Sequence, residues 1–293
     1  MTADPSLAAR FETARPQLGA IAYRMLGSVD DAQDAVQEAW LRLSGAGSAG
    51  GRPIVNLDAW LTTVVARICL NTLRDRHARG REEPVAQLPD PIVDAHGESD
   101  PEHRAMLADA VGLALFVVLD TLPPAERLAF VLHDVFTVPF DQIAPIVDRS
   151  PEATRKLASR ARRRIQQADP LPDADLAAQR AAVDAFFAAG RTGDFDRLVS
   201  VLDPDVVLRG DLGTGLVRTE GASSVAKLAR GYAGPDREVR TAVVNGAAGA
   251  VIVVAGQPVA IMAFVVRDGV IGAIDVLADP ARVARIDVRA VTG

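Results

Sequence analysis

Two groups of charged side chains in this 293-residue chain have a spacing that could do chemistry. The first lies in FDQIAPIVDRSPEATRKLASRARRRI, residues 140–165. On a helix advancing about 100° per residue, Thr154, Leu157, Ala158, Ala161 and Ile165 share one apolar stripe. Arg155, Lys156, Ser159 and Arg163 project from the other side. Ser150 can cap this helix, Pro151 takes its first position and Glu152 faces its positive end. Phe140, Ile143, Ile146 and Val147 give a shorter helix before it, with Asp148-Arg149 as the turn. Pro145 should kink or end that shorter helix. A short helix, a tight turn and a capped helix with a basic outer face make a helix-turn-helix, whose second helix enters a DNA major groove. Arginine there meets guanine edges or phosphates, and lysine and serine mostly phosphates.

The second group is acidic. Asp30, Asp31, Asp34 and Glu38 are opposed within 30–43 by Arg42 alone. Ala32, Ala35, Val36, Ala39, Trp40 and Leu43 recur there at steps of three and four, so the acids and Gln37 line the other side of a helix. Such a solvent-facing acidic helix suits a basic protein partner. Arg67, Arg74, Arg76, Arg79 and Arg81 follow against Asp75, at the end of a helix whose stripe is Leu57, Trp60, Leu61, Val64, Val65 and Ile68. Asn56 is placed to cap that helix, with Gly80 near its stop.

Other chemistries find no footing. One cysteine, Cys69, excludes an intramolecular disulfide and a cysteine-rich zinc site. His77, His96, His103 and His133 lack ligand spacing, so no metal or cofactor is expected. SGAGSAGG (44–51) lacks the ending of a phosphate loop and reads as a flexible loop. A net charge of −6 excludes a uniformly basic nucleic-acid coat. No signal-peptide core and no apolar run near the roughly 18 residues of a membrane span is present, which leads to the expectation of a cytoplasmic protein with no membrane association.

Proline and acid mark the joints. Residues 82–102 hold four prolines, a strong acidic excess and no helical period, and read as a linker. DPLPD (169–173) is a second joint. The chain is therefore expected to divide into 1–81, the linker 82–102, then 103–168 and 174–293. The first and third pieces read as all-α. The last begins with two helices broken at Arg191–Gly193. Val- and Ile-rich runs then alternate with Gly, Asn-Gly and Asp-Gly, an antiparallel meander. Helices followed by hairpins make this piece α+β.

LGAIAYRMLGSVDDAQDAVQEAWLRL, AWLTTVVARICLNTLRDRHAR and TLPPAERLAFVLHDVF followed by the helix-turn-helix together resemble an extracytoplasmic-function sigma factor of the sigma-70 family, over about 18–81 and 105–166. The resemblance implies a dissociable, non-enzymatic initiation subunit of bacterial RNA polymerase. Region 2 (1–81) would bind core polymerase at the β′ clamp through Asp30, Asp31, Asp34, Gln37 and Glu38. It would open the −10 element of promoter DNA through Asn56, Arg67, Asn71, Arg74, Arg76 and Arg79. Region 4 (103–168) would read the −35 element through Ser150, Glu152, Arg155, Lys156, Ser159, Arg160 and Arg163.

The stretch from VDAFFAAGRTGDFDRLVSVLDPDVVLRGDLGTG onward is similar to the SnoaL-like domain, a curved antiparallel sheet wrapped by helices into a cone. Sigma factors with this fusion carry W-L-P-E-P in the linker and D-G-G-G-K in the cone. Here Gln87-Leu88-Pro89-Asp90-Pro91 and Asp211-Leu212-Gly213-Thr214-Gly215 occupy those places. The resemblance implies regulation in cis, with Leu88, Pro89, Asp90, Pro91, Asp211 and Gly213 as its residues, and a small ligand as a candidate occupant of the cone. Catalytic relatives use acids and bases in the cavity. No histidine follows His133, and Asp205, Asp211, Asp275 and Tyr232 are the remaining acid/base groups, so no catalytic residue is assigned. The alternative reading is a helix-turn-helix regulator with a ligand-binding or enzymatic cone, acting without core polymerase.

Overall fold

The computed structural model describes residues 5–48, 54–79, 87–95, 112–168, 172–173, 175–232 and 234–292. They divide between two units, one drawn from Met1–Pro84, Pro101–Asp109 and Val118–Ala168, the other from Val85–Asp100, Ala110–Val117 and Asp169–Gly293.

The first unit is all-α. It opens with α1 (Pro5–Leu26), α2 (Val29–Ser48) and α3 (Leu57–Arg79). Gly27, with φ 71°, turns the chain between α1 and α2, and the Ser28 hydroxyl accepts from Asp31 N at 3.3 Å to start α2. Phe11, Leu18, Ile21 and Met25 of α1 are buried with Ala35, Ala39 and Leu43 of α2 and Leu61, Val65 and Cys69 of α3. The alanines of α2 let the helices approach closely, and each large apolar side chain buried contributes about 1.5–3 kcal/mol. Trp60 and Val64 are only half-buried, at the edge of that core. Helix α2 continues to Ser48, so 44–48 is helix and not the expected loop. The Ser44 hydroxyl donates to the Leu41 carbonyl at 3.0 Å within the ladder, and extending an exposed helix through glycine costs only about 1 kcal/mol per residue. The rest of that loop lies outside the described residues.

The chain resumes with α4 (Gly112–Asp120), whose residues up to Val117 belong to the second unit, and then α5 (Pro124–Phe130), which runs on into a π turn at Val131–Val135. Then come α6 (Phe140–Val147) and α7 (Pro151–Ala168). Pro145 does not end α6 at once. The helix reaches Val147 because the bond the proline forgoes would go to an exposed carbonyl in the first turn, at Asp141. Asp148 stops it in the left-handed conformation, φ 56°, one that aspartate tolerates.

The second unit is α+β. Asp175 caps α8 (Leu176–Thr192) through Ala177 N and Ala178 N, at 2.9 and 3.2 Å. Gly193, φ 70°, ends it and Asp194 caps α9 (Phe195–Ser200). The expected break at Arg191–Gly193 falls there. The sheet has seven strands in the order β1-β4-β5-β6-β7-β2-β3. They are β1 (Val93–Asp94), β2 (Leu202–Asp211), β3 (Leu216–Glu220), β4 (Arg237–Val244), β5 (Ala247–Val254), β6 (Gln257–Arg267) and β7 (Val270–Leu277), with α10 (Ala222–Tyr232) between β3 and β4. Strands β4 to β7 are the expected meander. The β2–β7 pair is parallel, so the sheet is mixed and not wholly antiparallel. Register shifts in β2, β5 and β6 bend the strands and leave the sheet curved and open.

One face of the sheet packs Phe264, Val266, Ile271 and Ile274 against Phe186 of α8, Leu198 of α9 and Val225 of α10. The other face places Ala242, Val244, Val251 and Ile261 against Val93, Leu113 and Val288. Two short helices, α11 (Pro280–Val283) and α12 (Arg289–Thr292), close the chain.

Candidate nucleic-acid interface and linker contact

Helix α7 has two sides of opposite character. Thr154, Ala158, Ala161 and Ile165 are buried, and Leu157 is half-buried beside them. The Ser150 hydroxyl accepts from Ala153 N at 3.2 Å and caps the helix, and Glu152 pairs with Lys156 one turn on at 2.9 Å. Arg155, Lys156, Ser159 and Arg163 are exposed together. Three further arginines have acids of their own unit. Arg164 and Arg160 lie 3.3 and 3.9 Å from the buried Glu126, and Arg162 lies 2.7 Å from Asp134. Those contacts hold α7 on α5 and the π turn. Arg160, which the family resemblance places in the −35 set, is exposed and leans towards Glu126 of α5.

On α2, Asp30, Asp34, Gln37 and Glu38 are exposed, and Glu38 pairs with Arg42 one turn on. Asp31 is half-buried and bonded to Arg76, which also donates to the Leu26 carbonyl at 3.0 Å. The structure thus brings two candidate residues from different sets together. Asp31 and Arg76 tie α3 to the α1–α2 turn. Asn56 is exposed, with its side-chain oxygen accepting from Ala59 N at 3.1 Å as the cap of α3. Asn71 and Arg74 are exposed, Arg67 is exposed and donates to the Pro145 carbonyl at 3.3 Å, and the Arg79 side chain lies outside the described residues.

Sequence reasoning passed over Arg127. It is 2% exposed, bonds to Asp120, and donates to the Arg24 carbonyl at 3.1 Å, so it joins α5 to α1. Its Nη2 has no hydrogen-bond partner among the described residues, and burial lowers its pKa against the pull of Asp120. Burial likewise pushes the Cys69 thiol up to about 12, with Arg127 opposing.

In the second unit, part of the acidic linker is held on the sheet. Asp211, wholly buried at the end of β2, accepts from Leu88 N at 3.0 Å, Arg282 Nη1 at 2.5 Å and Gly213 N at 3.1 Å. Gly213 has φ 84°, and a Cβ there would meet Asp279 Oδ2 at 3.0 Å, so glycine is required. Arg282 also donates to Asp90 at 2.6 Å and to the Leu88 carbonyl. Leu88, Pro89 and Pro91 are buried, while Gln87 is exposed. Asn245 in the β4–β5 turn brackets the next residue, its side chain accepting from Ile92 N at 3.0 Å and its backbone N donating to the Ile92 carbonyl at 2.9 Å. Val93 and Asp94 then pair with Val244 and Val243 as the edge strand β1. Arg282 and Asn245 were not found as linker contacts in the sequence. Arg282 lies 192 residues from Asp90 with no local pattern, and the Asn-Gly pair at 245–246 signalled only its turn.

The acid/base candidates of the second unit are dispersed. Asp275 is buried and held by Arg209 at 2.5 and 3.0 Å, burial raising its pKa against that arginine. Asp205 is exposed, and the Tyr232 side chain lies outside the described residues. No cluster of His, Cys, Asp and Glu among the described residues could hold a metal ion. No described helix is long and apolar enough to cross a membrane.

An all-α unit with an acidic helix and a capped helix-turn-helix, followed by a curved sheet under helices, defines a class: a sigma-type transcription factor with a fused SnoaL-like domain. Comparison bears this out. Residues 10–79 match Sigma-70 region 2 and residues 113–165 match Sigma-70 region 4. The ECF RNA polymerase sigma factor SigJ of Mycobacterium tuberculosis is 37% identical, over 92% of this chain and 91% of the relative. The sigma factor SigI of the same organism is 38% identical, over 73% of this chain and 72% of the relative. The crystal structure of Mycobacterium tuberculosis SigJ superposes with a TM-score of 0.75 at 34% identity, covering 96% of this chain and 99% of that one. The chain belongs to the ECF RNA polymerase sigma factors, which direct transcription. A helix-turn-helix regulator working without polymerase is not favoured.

Proposed function

We propose that this protein brings core polymerase in the cytoplasm to a specific promoter, and that its SnoaL-like domain regulates this in cis without catalysis. Asp30, Asp34, Gln37 and Glu38 dock on the β′ clamp region. Asn56, Arg67, Asn71, Arg74 and Arg79 contact the −10 element, with Asp31 and Arg76 keeping α2 and α3 in register. Arg155, Lys156, Ser159 and Arg163 contact the −35 element, with Ser150 and Glu152 setting the start of the helix and Arg160 its seat on α5. The observation that carries the DNA role is the sidedness of α7: Arg155, Lys156, Ser159 and Arg163 face solvent together, while Arg160, Arg162 and Arg164 have internal acids.

The regulatory part rests on the grip of Asp211, Arg282 and Asn245 on Leu88–Ile92. A non-catalytic role is supported by the engagement of the buried acids, Asp211 by the linker and Asp275 by Arg209. Phe186, Phe187 and Phe264 meet edge to face at centroid distances of 5.5–5.8 Å and fill the space between α8 and β6 with aromatic bulk.

The test is co-purification with core polymerase and promoter-directed initiation by the reconstituted enzyme. The double change Asp34→Arg/Glu38→Arg should weaken core binding at least tenfold and leave the far-ultraviolet circular dichroism spectrum unchanged. Unaltered core binding would remove α2 from the polymerase interface.

A further inference from the structure

We propose that Phe140 and His133 are positioning residues for Arg155, and that Arg155, so held, reads a guanine in the upstream promoter element. The proposal rests on α7 being the DNA-reading helix. Its motive is a chain of contacts ending at the exposed face. The guanidinium carbon of Arg155 lies 5.4 Å from the centroid of the Phe140 ring. The His133 ring stacks on the same phenyl ring, with centroids 3.7 Å apart and planes at 29°. His133 Nδ1 lies 3.0 Å from the Val138 carbonyl oxygen, which can only accept, so Nδ1 donates. A backbone carbonyl between the π turn and α6 thus orients an imidazole, the imidazole backs a phenyl ring, and the phenyl ring holds a guanidinium. The neighbouring cations are placed differently. Lys156 is tethered only to exposed Glu152, and Arg163 has no ring or carboxylate against it among the described residues.

The physical consequence concerns discrimination more than affinity. A phenyl face attracts a guanidinium without occupying its N–H groups, so the donors stay free for a base edge. Guanine offers O6 and N7 to a bidentate arginine in the major groove, and that contact demands one orientation of the fork. An arginine already confined over a ring loses less freedom in adopting it than a mobile one. A phosphate contact makes no such demand, because many geometries satisfy it. Phe140 and His133 should therefore matter for sequence preference at one position and little for overall attraction to DNA.

The experiment uses holoenzyme reconstituted from core polymerase and the full chain. Complex formation is measured on duplexes carrying each of the four bases in turn at every position of the upstream element, with a non-specific duplex alongside. Arg155→Ala should reduce the guanine preference at one position about tenfold. Phe140→Leu, which keeps apolar bulk and removes the ring, should reduce the same preference about threefold to fivefold and leave other positions and non-specific binding unchanged. Phe140→Tyr should retain it. If Arg155→Ala leaves every preference intact, Arg155 is no base reader, and the proposal falls together with that part of the functional reading. If Arg155→Ala flattens the preference while Phe140→Leu behaves as wild type, the functional reading stands and the positioning proposal alone is overturned. A uniform loss on all duplexes in Phe140→Leu would also overturn it, because Phe140 would then act only through folding.

Discussion

At the residue scale, long-range partners decide what a charged side chain does. Asp31 and Asp34 sit three residues apart on one helix, yet Asp31 is bonded to Arg76 of α3 and Asp34 faces solvent. Periodicity could place both on the polar side and could not tell the paired acid from the solvent-facing one. Asp211 and Asp90 were legible as candidates because each stands within a short motif. Arg282, which joins them, was not, because nothing in its neighbourhood marks it. Cys69 shows the opposite case: it stands four residues after Val65 of the apolar stripe of α3, a spacing that puts it on the same side, and it is buried. Its raised pKa, about 12 against an ordinary 9.0, makes it a probe of folding. The thiolate is the nucleophile, so iodoacetamide at pH 8.5 should alkylate Cys69 at least a hundredfold more slowly in the native protein than in urea. The same shift sets a sign for stability. The folded state binds this proton more tightly, so the contribution of Cys69 is fully present below pH 9 and is lost as pH rises towards 12. Equal alkylation rates in native and unfolded protein, read by mass spectrometry, would contradict the burial of this thiol.

At the element scale, the helices and the β4–β7 meander were legible because their periods and turn residues agree. Ser150-Pro151 and Asn245-Gly246 are examples in which cap or turn chemistry marked the boundary. Strands β2 and β3 were harder to see. Arg218 and Glu220 in β3 mimic a polar loop and are strand because they pair with Arg209 and Val207 of β2, while Asp203, Pro204 and Asp205 fall in the irregular stretch of β2 between its pairings with β7 at Leu202 and Val207. Strand β1 was hidden in a proline-rich acidic segment, since two residues carry no period. Its place depends on Asn245, which makes the turn with φ 50° and accepts the Ile92 amide. Replacing Asn245 by glycine keeps the turn conformation and removes the side-chain acceptor. A lost buried hydrogen bond costs about 1–3 kcal/mol, so the amides of Ile92 and Val93 should exchange with deuterium about 5- to 160-fold faster. The amides shared by β5 and β6 should not change. Unaltered exchange at Ile92 would mean that β1 is held by other contacts.

At the scale of the molecule, the first unit packs its region 2 and region 4 parts together, through Arg127 on the Arg24 carbonyl and Arg67 on the Pro145 carbonyl, and the proposal assigns these parts to the −10 and −35 elements. A unit of about 140 residues has a radius of gyration of about 14 Å. Promoter elements about 25 base pairs apart are separated by about 85 Å along the duplex, at 3.4 Å per step. The two parts must therefore separate to hold both elements at once. The chain between α3 and α5 passes through Leu88–Asp94, which the SnoaL-like domain grips, and that domain is also joined to the end of α7 through 169–175. In the regulation in cis proposed above, these two links to one domain are what restrains that separation. Asp90→Ala loosens the grip from the linker side and Arg282→Ala from the domain side. The most direct measurement is run-off transcription by core polymerase with each protein at matched, limiting concentration on one cognate promoter. Both variants should raise promoter output severalfold over wild type while keeping a folded circular dichroism spectrum. Output equal to or below wild type in both would contradict regulation through this contact.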